Sequence, residues 1–293
     1  MFEGFDEGRL TLDQSEIYYR KGGSGPPVLL LHGFPQTHAA WHRVAPLLAR
    51  RYTVVVPDLR GYGRSTGPAP DAAHERYSKR AMAQDVLALM RSLGFARFSV
   101  AGHDRGARVG YRLALDEPAS VAAFAPIDIV PTIEMWDRMA MAGALRSYHW
   151  AFLAQPAPMP ETLIGANPGF YLEHLLRRWA GDFSAIEGPA LADYQRSFAQ
   201  PATIVACCED YRAGATVDVA HDRADRDAGR KLSCPVLAMW AIRYLSSQSP
   251  LATWQRWADE VSEVALDCGH FVAEEQPQAC ADALTDFFGS VRA

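Results

Sequence analysis

The sequence predicts an α/β fold: a mostly parallel, doubly wound sheet with an inserted helical cap. Three observations support this prediction. Over the first 130 residues, short apolar runs typical of strands covered on both faces alternate with segments of helical periodicity. Between residues 131 and 231 the strand pattern stops, and aromatic-rich helical segments are separated by Pro- and Gly-rich joints. From residue 232 to residue 293 the alternation resumes.

We therefore predict a core domain formed by residues 1–130 and 232–293, and a cap domain formed by residues 131–231. In chain order, strands are expected at about 9–20 (a strand or hairpin), 28–31, 52–56, from 98 to the turn described below, 121–127, 235–240 and 262–266. Helices are expected at about 39–50, 78–93, from that turn to before Pro118, 134–153, 170–180, 190–199 and 274–289.

The composition excludes several kinds of partner. The net charge of −5 is spread over interspersed acidic and basic residues, which indicates no nucleic-acid surface. No apolar run approaches membrane-spanning length, and the acidic N-terminus lacks a hydrophobic signal core. The five cysteines show no zinc-binding spacing and are expected to be free thiols in a reducing compartment. We predict a cytoplasmic protein that binds neither nucleic acid nor membrane.

Polar side chains stand at the carboxyl ends of four predicted strands, where the functional crevice of a doubly wound sheet lies. These residues are His32, Asp58, Asp104 and Asp128. One of them is preceded and followed by glycine in the pattern G-x-Nuc-x-G, between a strand and a helix, as Gly102-His103-Asp104-Arg105-Gly106. This pattern is typical of a nucleophile elbow. A simple helix N-cap is the alternative role for Asp104, but the flanking glycines favour an exposed carboxylate nucleophile.

A carboxylate nucleophile needs a general base for the second step, in which water splits the covalent ester. His270 is the candidate, because it follows the last predicted strand in a Gly-His-Phe turn. Its acid partner is predicted to be Asp128, since residues 241–245 offer no carboxylate. Asp267 is too close to His270 on the same turn to be a good partner.

Backbone N–H groups of Phe34 and Arg105 are the predicted oxyanion donors, although Phe34 could equally be a wall residue. The side chains of Arg105 and Arg108 can both face the crevice, since Arg105 adjoins Asp104 and Arg108 lies one helical turn beyond it. They could form salt bridges with Asp104. A bidentate clamp for a substrate carboxylate is the prediction we prefer, because a permanent clamp on Asp104 would weaken the nucleophile.

Several motifs together resemble the fluoroacetate dehalogenases, which are haloacetate dehalogenases of the α/β-hydrolase superfamily. They are His32-Gly33-Phe34-Pro35-Gln36, Gly102-His103-Asp104-Arg105-Gly106-Ala107-Arg108, Asp128-Ile129-Val130-Pro131-Thr132, Tyr148-His149-Trp150 and Asp210-Tyr211-Arg212-Ala213-Gly214. The similarity spans nearly the whole chain, but the loop at 241–249 departs from the family pattern. The resemblance implies the α/β-hydrolase fold and a homodimer.

The resemblance also implies roles for individual residues. Asp104 would be the nucleophile, His270 the base and Asp128 its partner, while Arg105 and Arg108 would hold the substrate carboxylate. The departing halide would be bound by His149, Trp150 and Tyr211. From the sequence alone, aromatic packing of a cap helix is the alternative for His149 and Trp150. We assign Trp136, Phe152 and Trp179 to packing, and treat Asp58, His103 and the Cys207-Cys208 pair as structural.

The expected reaction is hydrolysis of a short 2-haloacid, fluoroacetate first, by way of an aspartyl ester, and it requires no metal or organic cofactor. An epoxide hydrolase of the same fold is the alternative enzyme. It would share the aspartate, the histidine and the cap, but it has no use for two arginines beside the nucleophile. A third possibility is a non-catalytic member of the fold that binds a small carboxylate.

Overall fold

The computed structural model describes residues 1–244 and 248–291; positions 245–247 of the divergent loop lie outside the described residues. Its centre is an eight-stranded sheet in the order β1-β2-β4-β3-β5-β6-β7-β8. The strands are β1 (Asp6–Thr11), β2 (Glu16–Gly22), β3 (Pro27–Leu31), β4 (Thr53–Pro57), β5 (Phe98–His103), β6 (Val121–Ile127), β7 (Val236–Ala241) and β8 (Val261–Leu266).

The six neighbouring strands β4-β3-β5-β6-β7-β8 are parallel to one another. At the outer edge of β4, the antiparallel hairpin β1–β2 pairs through β2. The predicted mostly parallel sheet is therefore confirmed, and the segment at 9–20 belongs to a hairpin.

Helices cover both faces of the sheet. They are α1 (Ala45–Leu48), α2 (Lys79–Ser92), α3 (Arg105–Asp116), α4 (Thr132–Asp137), α5 (Met141–Arg146), α6 (Tyr148–Leu153), α7 (Met159–Ala166), α8 (Pro168–Trp179), α9 (Gly188–Phe198), α10 (Pro201–Ala215), α11 (Val217–Asp227), α12 (Leu251–Trp257), α13 (Val272–Glu275) and α14 (Pro277–Ser290).

The continuous apolar runs are explained by the two faces of the sheet. Along β3, Leu29 and Leu31 pack in one hydrophobic cluster, while Val28 and Leu30 pack in a second cluster on the opposite face. Successive side chains of a strand point to opposite faces, so a strand covered on both sides needs apolar residues at every position.

Three predicted helices are wrong in their extent. The segment 274–289 is interrupted at Gln276, between α13 and α14. Residues 39–50 form a 3₁₀ turn, His38–Trp41, followed by the short helix α1, which has Pro46 in its first turn. The segment 134–153 is divided into α4, α5 and α6. The side chain of Ser147, between α5 and α6, makes no capping hydrogen bond to α6, and α5 buries none of its residues. A prediction from hydrophobic periodicity runs through such breaks, because the periodicity shows which side chains are buried and not where the backbone hydrogen bonds of a helix end.

Eight helices, α4 to α11, lie between β6 and β7 in sequence and form the inserted segment, called the cap below. The helical periodicity did not predict four further helices, α7, α10, α11 and α12. Among the described residues, no helix is both long and apolar enough to cross a membrane.

The turn between β5 and α3 depends on close backbone approach. A Cβ atom at Gly106 would lie 2.3 Å from the carbonyl oxygen of His32, and one at Gly102 would lie 2.6 Å from the backbone nitrogen of Ala107. These contacts are shorter than any real Cβ contact, and backbone atoms cannot rotate away. Glycine at both positions therefore lets α3 begin directly against β3 and β5.

Gly106→Ala should destabilise the protein by about 1–3 kcal/mol, the typical cost of overpacking a close-packed interior. Urea unfolding would measure this change. Gly165→Ala on α7 is the control, because a Cβ atom there meets nothing within 4 Å. It should leave stability unchanged or slightly raised, and equal unfolding midpoints for the two variants would contradict the packing argument.

Candidate active site

The backbone at Asp104 is strained and presents its carboxylate to a cavity. Its φ of 45° and ψ of −117° lie in a region that L-residues rarely adopt. The side chain makes no capping hydrogen bond to α3; instead its Oδ2 atom accepts a hydrogen bond of 3.0 Å from the backbone N–H of Phe34. The N-cap alternative is therefore not what the structure shows. Gly33 allows this approach, because a Cβ atom there would lie 2.5 Å from the Cβ atom of Asp104.

Asp104 is held in its ionised form. Burial alone would raise its pKa, but electrostatic interactions with His270, His103, Arg108 and Arg105 outweigh burial and lower the pKa below its usual value. Neither arginine forms a salt bridge with Asp104 within 4.0 Å in the described part of the chain. The carboxylate therefore keeps its charge without being clamped, as a nucleophile requires.

His270 and Asp128 lie together, as the sequence suggested. The Nδ1 atom of His270 is 2.6 Å from Oδ2 of Asp128, whose Oδ1 accepts a hydrogen bond of 3.0 Å from the backbone N–H of Ala241. This pairing leaves Nε2 of His270 as the nitrogen free to exchange a proton. Burial raises the pKa of Asp128, and its hydrogen bond to His270 opposes that rise.

Two further contacts position the histidine turn. The backbone N–H of His270 donates to the carbonyl of Trp179 in the cap over 2.9 Å, and the His270 carbonyl lies 2.8 Å from Nε2 of His103. A Cβ atom at Gly269 would lie 2.0 Å from the backbone nitrogen of Gly181. Because neither glycine has a side chain, the backbone of the histidine turn packs directly against the backbone of the cap at Gly181. Asp267, by contrast, pairs with Arg243 at the surface.

The two arginines have different surroundings. Arg108 lines the cavity, and its Nη1 donates to the carbonyl of Val130 and to Oγ1 of Thr132, at 3.0 and 3.1 Å. Both acceptors are uncharged, so the guanidinium has no carboxylate partner among the described residues. Burial, followed by the neighbouring Arg105, lowers the pKa of Arg108. A bound anion would relieve both effects.

Arg105 instead pairs with a carboxylate of the cap. Its Nε and Nη2 atoms donate to the side chain of Asp210 at 3.1 and 2.6 Å, and its Nη1 atom is buried without a hydrogen-bond partner in the described residues. Burial disfavours the charge, but Asp210 outweighs burial and raises the pKa of Arg105. Arg105 is not among the described residues that line the cavity; its guanidinium carbon lies 5.5 Å from the ring centroid of Trp150, which is. Nη1 is the one guanidinium nitrogen of Arg105 that the described residues leave for a ligand.

The three predicted halide-binding residues form one aromatic group. The ring of Tyr211 lies 5.7 Å from that of His149 and 5.9 Å from that of Trp150, and all three side chains are buried. His149 and Trp150 line the cavity, whereas Tyr211 is not among its described lining residues. Burial lowers the pKa of His149 to about 3, so its imidazole is neutral at physiological pH. Arg108 lies over the Trp150 indole, with 4.5 Å between its guanidinium carbon and the ring centroid.

Sequence reasoning missed two residues of the cavity wall. Trp179 was assigned to packing, yet it lines the cavity, with its ring 4.5 Å from that of His149 and 5.7 Å from that of His270. Tyr244, in the divergent loop, lies over His270 with 4.3 Å between ring centroids. The aromatic residue three positions after the end of β7 was the available signal for this wall residue.

The cavity has a volume of about 660 Å³ and joins the carboxyl edge of the sheet to the cap. This volume falls within the range of about 300–1,000 Å³ that is usual for small-molecule sites. Away from Asp104, its wall includes Arg138, Arg146 and Arg256. Among the described residues, no group of three His, Cys, Asp or Glu side chains is arranged to hold a metal ion.

Comparison with known proteins matches residues 26–277 to the family described as the alpha/beta hydrolase fold. The fluoroacetate dehalogenase of Burkholderia sp is 43% identical over 296 residues, which cover 100% of this chain and 96% of that protein. The soluble epoxide hydrolase of Corynebacterium sp. (strain C12) is 33% identical over 94% of each chain. ALR0039 from Nostoc sp PCC 7120 has a crystal structure that superposes with a TM-score of 0.97, at 49% identity, over 99% of this chain and 100% of that one. These similarities confirm the family resemblance inferred from the motifs.

Arg108→Ala should weaken binding of a simple carboxylate by at least about thirtyfold, because losing one partner of a buried, hydrogen-bonded charge pair costs about 2–5 kcal/mol. Acetate is a suitable unreactive probe, and titration calorimetry would measure its affinity. Thermal unfolding would verify that the variant is folded. Unchanged acetate affinity in a folded variant would contradict the role of Arg108 as an anion site.

Proposed function

The chain belongs to the α/β-hydrolase family, and we propose that it hydrolyses the carbon–halogen bond of short 2-haloacids, converting fluoroacetate and water into glycolate and fluoride. One observation carries the proposal. An ionised, unclamped carboxylate, Asp104, faces the same cavity as Arg108, whose charge has no acidic partner among the described residues. The similarity to the Burkholderia fluoroacetate dehalogenase supports it.

In the first step, Arg108 and the free Nη1 of Arg105 bind the substrate carboxylate and direct its α-carbon toward Asp104. Oδ2 of Asp104 is held by the Phe34 N–H, so Oδ1 is the attacking oxygen. It forms a bond to the α-carbon while the carbon–fluorine bond breaks, and the electron pair of that bond leaves with fluoride. The product is a glycolyl ester of Asp104.

Fluoride is strongly hydrated in water, so a dry cavity must replace that hydration with fixed donors as charge develops. The neutral imidazole of His149, the indole N–H of Trp150 and the hydroxyl of Tyr211 are such donors. Because they carry no charge, they do not compete with the arginines for the substrate carboxylate.

In the second step, His270 takes a proton from a water molecule, whose oxygen attacks the ester carbonyl carbon of Asp104. The oxyanion that forms on Oδ2 accepts hydrogen bonds from the Phe34 N–H and from the Arg105 N–H, which belongs to the first turn of α3 and has no intrahelical acceptor. Collapse expels glycolate, which receives the proton held by His270. The second proton of the water leaves as Asp104 ionises again, in keeping with its lowered pKa.

An epoxide hydrolase remains the alternative, and the Corynebacterium relative is named as one. Such an enzyme opens an uncharged ring, and a buried arginine with only neutral partners disfavours an uncharged ligand at this place. Homodimeric assembly and a cytoplasmic location are also part of this proposal. The five buried free thiols are consistent with a reducing compartment.

His270→Asn should release one fluoride per enzyme molecule and then stop, because the ester forms but no base activates the water. A fluoride electrode would measure the burst, and mass spectrometry would locate the ester on the peptide that contains Asp104. Asp104→Asn is the control and should release no fluoride. In labelled water, a single turnover of the unaltered protein should place the label in Asp104, and label in glycolate alone would refute the ester.

Trp150→Phe should reduce kcat for fluoroacetate by about tenfold or more, the typical effect of removing a hydrogen bond to a charged group. The effect on chloroacetate should be smaller, because chloride needs less stabilisation as it leaves. Trp136→Phe is the matched control, since that indole N–H donates to the carbonyl of Gly214 at 2.9 Å. Equal losses for both halides in Trp150→Phe would argue against a halide-binding role.

A further inference from the structure

The buried carboxylate of Asp210 lies between the core and the cap and contacts side chains from three other segments of the chain. Asp210 on α10 accepts hydrogen bonds from Arg105 on α3 and from the Tyr62 hydroxyl after β4, at 2.7 Å for the latter, and pairs with Lys79 at the start of α2. The backbone carbonyl of Asp210 accepts a further bond of 2.6 Å from Nη2 of Arg105. The side chain of Asp210 is fully buried.

These contacts determine the orientation of Arg105. A guanidinium group is planar, so holding Nε and Nη2 also fixes the direction of Nη1. Nη1 is the nitrogen that has no partner among the described residues. Gly214, one turn after Asp210, makes room for this arrangement, because a Cβ atom there would lie 2.9 Å from Nη2.

The same turn of α10 also carries Tyr211. Its ring lies beneath the guanidinium of Arg105, 4.2 Å from the guanidinium carbon to the ring centroid. Asp210 therefore binds one edge of the Arg105 guanidinium, and the next residue of the same helix, Tyr211, packs against its face. An arginine fixed in this way keeps little freedom to follow a ligand, so it can select one orientation of it.

Lys79 and Asp218 complete the charged group that contains Arg105. If Asp210 paired with Arg105 alone, the pair would be neutral. Lys79 supplies a second cation to Asp210, and it also lies 3.4 Å from Asp218. Asp218 adds a second carboxylate, so the two cations and two carboxylates together are neutral. Arg105 therefore offers a ligand a fixed N–H donor rather than a net positive charge.

We propose that Asp210 is a positioning residue, which fixes Arg105 so that Nη1 supplies one directional N–H to a bound carboxylate, while Arg108 supplies the main countercharge. This inference rests on the proposed function for the identity of the substrate, but not for the binding of a carboxylate. It predicts that the two arginines contribute differently: Arg108 supplies most of the affinity, and Arg105 supplies a smaller part of the affinity together with the orientation of the α-carbon toward Asp104.

Asp210→Asn tests the proposal, and Asp225→Asn is a matched control. Asp225 is also a buried cap carboxylate that pairs with an arginine of α3, Arg112, at 2.6 Å, and with a second cation, Arg230, at 2.7 Å. The two pairs differ in what the arginine contacts: the guanidinium of Arg105 lies over the indole of Trp150, which lines the cavity, with 5.5 Å between the guanidinium carbon and the ring centroid. Both variants should lose stability, as urea unfolding would measure.

Only Asp210→Asn should lose function. We expect its kcat/KM to fall by at least about tenfold, to the same extent for fluoroacetate and chloroacetate, because orientation rather than halide departure is impaired. Combining it with Arg105→Lys should add little further loss, since both changes act through one guanidinium. Asp225→Asn should retain kcat and KM. Additive losses in the double variant, or equal losses in Asp210→Asn and Asp225→Asn, would overturn the proposal.

Acetate binding, measured by calorimetry, separates this proposal from the proposed function. If the unaltered protein releases no halide, but acetate affinity falls in Asp210→Asn and persists in Asp225→Asn, then the proposed reaction fails and the positioning role stands. Unchanged acetate affinity together with unchanged kcat/KM in Asp210→Asn would refute the positioning role. Should Asp210→Asn not fold, Asp210→Glu keeps the charge and displaces Arg105, and it should show the same kinetic losses.

Discussion

The burial of the Asp104 carboxylate in its charged form is the constraint on which the rest of the structure depends. A buried anion is unstable unless donors and opposite charges surround it. Here one oxygen receives the Phe34 N–H, and the histidine and arginines hold the pKa down from a distance. No cation clamps the group within the described residues, so its other oxygen stays reactive. Stabilisation at a distance makes a buried carboxylate compatible with nucleophilic attack.

Helix α3 extends this electrostatic arrangement into the cap. Its arginines at 105, 108 and 112 lie three and four residues apart and therefore share one face. The first and third pair with carboxylates of the cap helices α10 and α11, whereas the middle one meets only neutral oxygens. The ion pairs dock the cap on the core. The arginine between them, Arg108, has no carboxylate partner in the described part of the chain and is the proposed site for an anionic ligand.

The cap contributes aromatic side chains to the cavity wall as well as two arginines, Arg138 and Arg146. The aromatic residues are His149, Trp150 and Trp179, and burial keeps the imidazole of His149 neutral. The docking is reciprocal, because the Trp179 carbonyl receives the backbone N–H of His270. Displacement of the cap would therefore disturb both the predicted halide donors and the histidine turn. The chemistry proposed for this site therefore depends on the sheet and on the helices inserted between β6 and β7 together.

The sequence alone determined the parallel sheet, the elbow and the residues at the ends of the strands, because these features are local. Apolar runs, flanking glycines and a polar residue after a strand are all visible within a few positions. Helix breaks at 39–50, 134–153 and 274–289 were missed, since periodicity does not report where backbone hydrogen bonding stops. Only the tertiary structure decided that Arg105 binds Asp210, that Arg108 meets no carboxylate within residues 1–244 and 248–291, and that Trp179 and Tyr244 pack against His270. Those contacts join residues far apart in the chain, and whether a charge is paired depends on its neighbours in space.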